Sequence, residues 1–253
     1  TIKNNIIDDD LSPDELKARL LPAFTNIRTL VMADDCTVFV TAPQGGELGM
    51  MMMMMREAGL PVRHVLIWKK DSPTFSMGRL DYDYQHEPIL LTWGKRHKRP
   101  LKGEHRTSVW DIPKPRSSDM HPTMKPVALV VNAILNNSDS GDVVYDAYSG
   151  SGTTLLAAEQ TGRRARVVEI EPSYVAVALQ RYCDATGDTP NVLTPHDRPP
   201  RHIRAVRATA GIPRRILRRQ VYRTRVRWRD PWRQELPRYR AHQIGRASCR
   251  ERV

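Results

Sequence analysis

The segment from Val143 to Tyr182 constrains the fold more than any other part of the chain. A short apolar strand ends at Asp146, and a turn containing Gly150 and Gly152 leads into a helix. A second apolar stretch then ends at Glu169 and is followed by another helix. This strand–helix alternation predicts an α/β protein with a parallel, Rossmann-like sheet and helices on both faces.

Each part of this segment suits a nucleoside ligand. Glycines let the backbone approach a ligand closely, and a helix start offers unpaired N–H groups and a positive dipole end. An acidic side chain at the tip of the next strand can accept hydrogen bonds from ribose hydroxyls. Leu155 occupies the third glycine position of the dinucleotide pattern, which favours S-adenosylmethionine over a dinucleotide. The alternative is a tight turn with no ligand.

The rest of the chain predicts the same class of fold. No apolar run approaches the roughly 18 residues of a membrane span, and the three cysteines form no C-x-x-C pair, so neither a zinc site nor a disulfide framework is indicated. Residues 94–120 lack periodicity and are interpreted as a loop or small insertion. Helices are predicted at Ser12–Val31, 46–58, Pro126–Leu135, Thr153–Thr161 and Pro172–Thr186, and further strands at Thr37–Ala42, Val62–Trp68 and Glu87–Trp93.

The net charge of +12 belongs to the C-terminal end. Residues 198–253 contain 18 arginines, no lysine and three acidic residues, whereas residues 1–197 have a net charge of −3. A basic end on a nearly neutral body is weaker evidence for nucleic-acid binding than an evenly basic chain. We interpret residues 197–243 as an Arg-rich tail that is either disordered or translated out of frame. Residues 244–253 match the translation of a short-read sequencing adapter, and we exclude them from the fold.

Three motifs resemble those of S-adenosylmethionine-dependent DNA amino-methyltransferases. The stretch DAYSGSGTT at Asp146–Thr154 resembles their D-P-F-x-G-S-G-T motif, and HPTMKP at His121–Pro126 matches H-P-T-x-K-P. The stretch QHEPIL at Gln85–Leu90 resembles phage-type and ParB-linked members. The motif order is that of the permuted class, whose cofactor motif is C-terminal. Residues 1–196 are therefore expected to form a partial methyltransferase domain, with 94–120 as the candidate target-recognition insertion.

The resemblance implies methyl transfer from S-adenosylmethionine to the exocyclic amine of a base in double-stranded DNA, with adenine favoured over cytosine. The base would be flipped out of the duplex. In this scheme the glycine turn lines the methionine part of the cofactor and an acid binds its ribose. No metal is expected. The implied cofactor-binding residues are Asp146, Tyr148, Gly150, Gly152, Thr153, Glu169, Thr123 and Lys125, and the candidates for the base pocket are His86 and Glu87.

The sequence departs from the family pattern at two places. Ala147 and Tyr148 replace the usual Pro and Phe, and neither D-P-P-Y nor S-P-P-Y, which supplies the catalytic groups, occurs in the sequence. The catalytic residues are therefore unknown. In the permuted order that motif is expected upstream of Thr1, on a central strand beside the strand ending at Asp146. We expect an N-terminally truncated fragment that is inactive and poorly soluble by itself, because loss of that strand exposes unpaired backbone and apolar surface.

Other functions remain open at this stage. The glycine turn and the acidic residue would equally serve a methyltransferase that acts on RNA or protein. A non-enzymatic basic protein could instead use the Arg-rich end to bind phosphates. The HPTMKP stretch could be a proline-bounded turn, and His86 and Glu87 could be structural. Sparse cysteine usage and the lack of a signal peptide predict a cytoplasmic protein. The resemblance implies that the cell is bacterial or phage-infected.

Overall fold

The computed structural model describes residues 11–74, 81–96, 106–115 and 124–188. The Arg-rich end and the adapter-like residues lie outside these ranges. The helices are α1 (Pro13–Asn26), α2 (Gly46–Glu57), α3 (Val127–Asn137), α4 (Thr153–Gln160) and α5 (Pro172–Thr186), and the strands are β1 (Thr37–Thr41), β2 (His64–Thr74), β3 (Tyr84–Trp93), β4 (Val109–Asp111), β5 (Val143–Asp146) and β6 (Arg164–Val167).

The strands form two sheets among the described residues. One has the order β1-β3-β2-β4, and the other contains β5 and β6 in parallel. The α/β class is confirmed, but β3 runs antiparallel to both β1 and β2. The short connection between β2 and β3 explains this difference, since a parallel neighbour needs a crossover of a dozen or more residues. The α2 crossover meets that requirement, and β1 and β2 run in the same direction on either side of β3.

The first helix begins at a capping box formed by Ser12 and Glu15. The Ser12 N–H donates to Glu15 Oε2 at 2.9 Å, and the Glu15 N–H lies 3.4 Å from Ser12 Oγ. Pro13 occupies the first turn, where its missing N–H has no cost. The helix continues as a π-helical turn over Ile27–Val31, so the predicted helical segment is confirmed to its last residue.

The β1–β4 sheet is covered on both faces. Adjacent strand residues point to opposite faces, and buried Leu90 of β3 packs in a cluster with Phe24 of α1 and with Met54 and Met55 of α2. Ile89 packs in a second cluster that includes Leu129 of α3. Helices on both faces are therefore confirmed for this sheet. No helix in the described ranges is long and apolar enough to span a bilayer.

Helix α3 joins the two sheets. Leu129 belongs to the cluster containing Trp68 and Trp110, whereas Ile134 packs with Ala157 of α4. One helix therefore contacts the β1–β4 sheet through one part of its surface and the β5–β6 layer through another. This arrangement places the stretch just before α3 beside the start of α4, where the candidate site lies.

Strand β4 lies within the 94–120 segment, which the sequence alone indicates to be a loop or small insertion. Val109–Asp111 pairs in parallel with β2, and Trp110 is buried. Its Nε1–H donates to the Thr107 carbonyl at 3.1 Å. Three residues are too few to show the alternation that identifies a strand in a sequence, and only the tertiary partner reveals this one.

Candidate active site

Asp146 ties the glycine turn to the helix that follows it. Its Oδ1 accepts from the Tyr148 N–H at 2.9 Å, and its Oδ2 accepts from Thr154 Oγ1 at 2.6 Å. One carboxylate at the carboxyl end of β5 therefore holds both the first residues of the turn and the first turn of α4. Ligands in open α/β sheets bind at this end of the strands.

The two glycines of the turn have different environments. Gly152 has a φ of +80°, and a Cβ added there would lie 2.6 Å from Ala178 Cβ on α5. Gly150 has a φ of +51°, but a Cβ added there would meet no atom within 4 Å. Gly152 therefore permits close packing of α5, whereas Gly150 borders open space that a ligand could fill.

Glu169 reaches across to this turn from the end of β6. Its Oε2 accepts from the Gly150 N–H at 2.7 Å, and its Oε1 accepts from the N–H groups of Ile170 and Glu171, both at 2.9 Å. The structure thus brings together the two parts that the sequence places on neighbouring strand tips. Three backbone N–H groups donate to this carboxylate, whose oxygens can accept further hydrogen bonds from hydroxyl groups.

Apolar side chains border Glu169 and the turn. Ile170 and Val168 flank the acid in sequence, and all three of Ile170, Val168 and Tyr148 are exposed. Burial of part of its ring raises the pKa of the Tyr148 phenol, although the nearby Arg19 cation acts in the opposite direction. Tyr148 therefore stays a neutral aromatic surface. A carboxylate with exposed apolar neighbours is the combination that a ribose carrying a flat base requires.

Lys125 and Thr153 lie against each other rather than in open space. Thr153 Oγ1 donates to the Lys125 carbonyl at 3.2 Å, and the Lys125 Nζ lies 2.7 Å from Glu87 Oε2. Thr153 is buried, so its hydroxyl serves the protein's own packing. Thr123, the other candidate from the same motif, lies outside the described residues.

The expected position of the catalytic motif also falls outside the described part of the chain. That motif is expected upstream of Thr1, and the structure describes the chain from residue 11 onward. The assignment of the catalytic groups to an upstream segment stays a prediction. Asp146 and Glu169 belong to the cofactor side of the site.

His86 and Glu87 point to opposite faces of β3, because neighbours on a strand alternate. His86 is exposed, its carbonyl accepts from Gln44 Nε2, and its ring stands edge-on to Tyr84 at 6.5 Å. Glu87 is partly buried on the face that α3 covers. The two side chains therefore lie on opposite faces of the strand, and their place in a base pocket stays a prediction.

Arg181 is a contributor that the sequence analysis did not single out. From α5 its Nη1 donates to the Ser151 carbonyl at 2.7 Å and lies 3.0 Å from Ser151 Oγ. It thereby braces the back of the glycine turn. A lone arginine in a helix carries no signal in the sequence that would identify this contact. Within the described ranges, no group of three or more His, Cys, Asp or Glu residues could hold a metal ion.

The sequence is similar to those of known DNA methyltransferases. The chain is 24% identical over 149 residues to the type II methyltransferase M2.MboI of Moraxella bovis, and this alignment covers 53% of this chain and 54% of that protein. It is 40% identical over 78 residues to the DNA adenine methyltransferase YhdJ of Escherichia coli, and this alignment covers 29% of this chain and 26% of that protein. The chain thus spans about half the length of M2.MboI, and less of YhdJ.

The fold has counterparts among solved structures. The complex of M1.HpyAVI with S-adenosylmethionine matches 64% of this chain and 82% of that chain, with a TM-score of 0.54 and 24% identity. The family model described as DNA methylase, N6_N4_Mtase, matches residues 1–180. That match covers most of the sequence, including the glycine turn and Glu169, and the chain belongs to the N6_N4_Mtase family of DNA methylases.

Proposed function

We propose that this chain provides the cofactor-binding part of a site-specific DNA methyltransferase. The enzyme transfers a methyl group from S-adenosylmethionine to the exocyclic amino group of a DNA base, with adenine favoured over cytosine. The observation that carries the proposal is the contact between Glu169 Oε2 and the Gly150 N–H at 2.7 Å. It sets an acid and a glycine turn at the tips of two neighbouring parallel strands, where nucleoside cofactors bind.

The residues present fit that cofactor. The free space beside Gly150 leaves room for a ligand against the backbone, and in the described part of the chain the buried Ser149 hydroxyl of the same turn has no hydrogen-bond partner. We infer that Glu169 accepts hydrogen bonds from the ribose hydroxyls and that Asp146 and Gly150 border the methionine part. Tyr148 offers an aromatic surface beside them. When bound, S-adenosylmethionine supplies an electrophilic methyl group on its sulfonium.

The acceptor amine needs groups that these residues do not provide. Its lone pair is delocalised into the base, so catalysis depends on holding the amine in line with the methyl group. Strand β5 has a single partner among the described residues, and its Val143 and Tyr145 side chains are exposed. We propose that a further strand carrying the catalytic motif pairs with this open edge in the active enzyme, which acts on double-stranded DNA in the cytoplasm.

The family match favours DNA over the other substrates that the sequence leaves open. A match to DNA methylases over residues 1–180 supports DNA rather than RNA or protein as the substrate. It also supports an enzyme rather than a purely nucleic-acid-binding protein. The name of YhdJ, a DNA adenine methyltransferase, supports the preference for adenine.

Calorimetric titration of the chain with S-adenosylhomocysteine tests the cofactor part of this proposal. Glu169→Gln removes a charge-assisted acceptor, which is worth about 1.5–3 kcal/mol, and affinity should fall by about ten-fold or more. Glu171→Gln is the matched control. Glu171 is two residues away and caps α5 through the Ser173 N–H at 3.2 Å, so its replacement should leave binding nearly unchanged. Equal affinities of the wild type and Glu169→Gln would contradict the assignment.

A further inference from the structure

A compact charged cluster lies next to the glycine turn but outside it. We call Trp68, Lys70, Glu87 and Lys125 the Glu87 cluster. The Lys70 Nζ lies 3.0 Å from Glu87 Oε1, and the Lys125 Nζ lies 2.7 Å from Glu87 Oε2. Each carboxyl oxygen therefore has its own ammonium partner. The side chains of Lys70, Glu87 and Lys125 are only 10%, 21% and 33% exposed, so solvent screens these contacts weakly.

The ring of Trp68 lies against both lysines of this cluster and is itself held in place. Its ring is buried, and its Nε1–H donates to the Ile112 carbonyl at 2.6 Å. The Nζ atoms of Lys70 and Lys125 lie 5.4 Å and 5.7 Å from the ring centroid, within the range of cation–π attraction. The two lysines thus share one carboxylate and one aromatic ring, which restricts the positions that the Lys125 ammonium can take.

The charge state of Glu87 suits this role. Burial opposes ionisation of the carboxyl, but the ammonium groups of Lys125 and Lys70 outweigh it and hold the pKa of Glu87 below its ordinary value. Glu87 is therefore an anion at neutral pH. Breaking such a pair from one side leaves an uncompensated, partly buried charge on the other.

Lys125 connects this cluster to the cofactor turn through its other end. Its side chain is held by Glu87 of β3, while its main-chain carbonyl accepts from Thr153 Oγ1 at 3.2 Å. Thr153 is the first residue of α4 and follows Gly152, which caps the helix in the left-handed conformation. A continuous chain of contacts therefore runs from β3 to the helix start at which the cofactor would bind.

We propose that Glu87 is a positioning residue for the glycine turn and acts through Lys125. By fixing Lys125, it sets the carbonyl against which Thr153 and the start of α4 are held. The proposal rests on the proposed function for its effect on binding, and it assigns to Glu87 a role away from the base pocket. The acid of the QHEPIL stretch thereby pairs with the lysine of the HPTMKP stretch.

Glu87→Gln tests this role with two measurements on the full chain. We expect S-adenosylhomocysteine affinity to fall by about ten-fold, the effect of losing a hydrogen-bonded partner of a charged group. Hydrogen–deuterium exchange of the ligand-free chain should be faster at the first-turn amides of α4, because the contact of Thr153 with the Lys125 carbonyl is one of those that hold this turn. Glu87→Asp keeps the charge. Its affinity should fall less, and its α4 amides should exchange more slowly, than those of Glu87→Gln.

Asp111→Asn is the matched control. The Lys69–Asp111 pair also joins a lysine of β2 to a carboxylate, at 2.6 Å, but it is exposed and is not part of the chain of contacts from Glu87 to α4. This variant should bind the cofactor analogue and exchange like the wild type. If it weakens binding as much as Glu87→Gln does, the effect is a general loss of charge on the sheet and the proposal fails.

A double variant separates positioning from a general loss of stability. Glu87 and Thr153 are linked only through Lys125 in this chain of contacts, so Glu87→Gln combined with Thr153→Val should weaken binding less than the two single effects multiplied. Independent effects would overturn the proposal. If the wild type binds no S-adenosylhomocysteine, the proposed function fails instead. The exchange measurement then still decides the positioning role, because unchanged exchange in Glu87→Gln would refute it.

Discussion

Replacing Gly152 by alanine should destabilise the chain more than the same change at Gly150. Both positions have a positive φ, +80° and +51°, and an alanine in the left-handed region costs about 1–2 kcal/mol. At Gly152 the new methyl group would also lie 2.6 Å from Ala178 Cβ and 3.1 Å from Ala178 Cα. Relief of such overpacking typically costs a further 1–3 kcal/mol, roughly.

The sum for Gly152→Ala is therefore about 2–5 kcal/mol, a large part of the roughly 5–15 kcal/mol by which domains are stable. Gly150→Ala should lose only the conformational part, because no atom lies within 4 Å of the added Cβ. Urea denaturation followed by circular dichroism measures both free energies of unfolding. Equal losses in the two variants would refute the reasoning, since the close approach of α5 is the only difference invoked.

A second substitution isolates the steric part of this loss. Ala178→Gly removes the methyl group that the new Cβ would meet, at an expected cost of about 1 kcal/mol as a glycine within α5. In the Gly152→Ala background the same change should be neutral or stabilising, because it opens space for the alanine. If Ala178→Gly costs as much in that background as in the wild type, the two side chains do not collide and the packing account is wrong.

Three further changes probe the neighbourhood of the turn. Arg181→Met removes the donor to the Ser151 carbonyl, and we expect a loss of about 1–3 kcal/mol in the free energy of unfolding by urea, as for a buried acceptor left unpaired. Asp146→Asn weakens the contacts to Tyr148 and Thr154, and calorimetry should show S-adenosylhomocysteine affinity reduced by about ten-fold. Burial, aided by Asp188, raises the pKa of Glu159 to about 7, so its ionisation lowers stability as the pH rises from about 4.5 to 7. Glu159→Gln should therefore raise the melting temperature by a few degrees, roughly, at alkaline pH and leave it unchanged under acidic conditions.

Local signals were sufficient to predict most elements of the fold. Ser12, Pro13 and Glu15 determine the start of α1, and Pro172 and Gly187 bound α5 at the residues that the sequence indicates. Strand direction and the three-residue β4 were not predictable in this way. Both depend on which strand lies alongside, and that information is distributed over residues far apart in the sequence.

The contacts of the site also divide into those that the sequence predicts and those that it does not. The pairing of Glu169 with the glycine turn follows from the rule that parallel strands end at one edge of a sheet. The contacts of Lys125 with Glu87 and of Arg181 with Ser151 follow no such rule, because they join residues 38 and 30 positions apart through side-chain packing. Motif matching indicated that Lys125 belongs to the site, but it gave no indication that its side chain would be paired with another residue of the protein.

The two glycines of the turn show why a motif and its physical causes must be separated. The sequence motif does not distinguish Gly150 from Gly152, yet only Gly152 is required by the packing of α5. Gly150 carries the N–H that meets Glu169 and borders open space, so its lack of a side chain matters chiefly when a ligand is present. If that space receives the cofactor, Gly150→Ala should weaken S-adenosylhomocysteine binding while leaving most of the stability intact. Gly152→Ala should instead lower the free energy of unfolding of the ligand-free protein, because it disturbs the packing of α5.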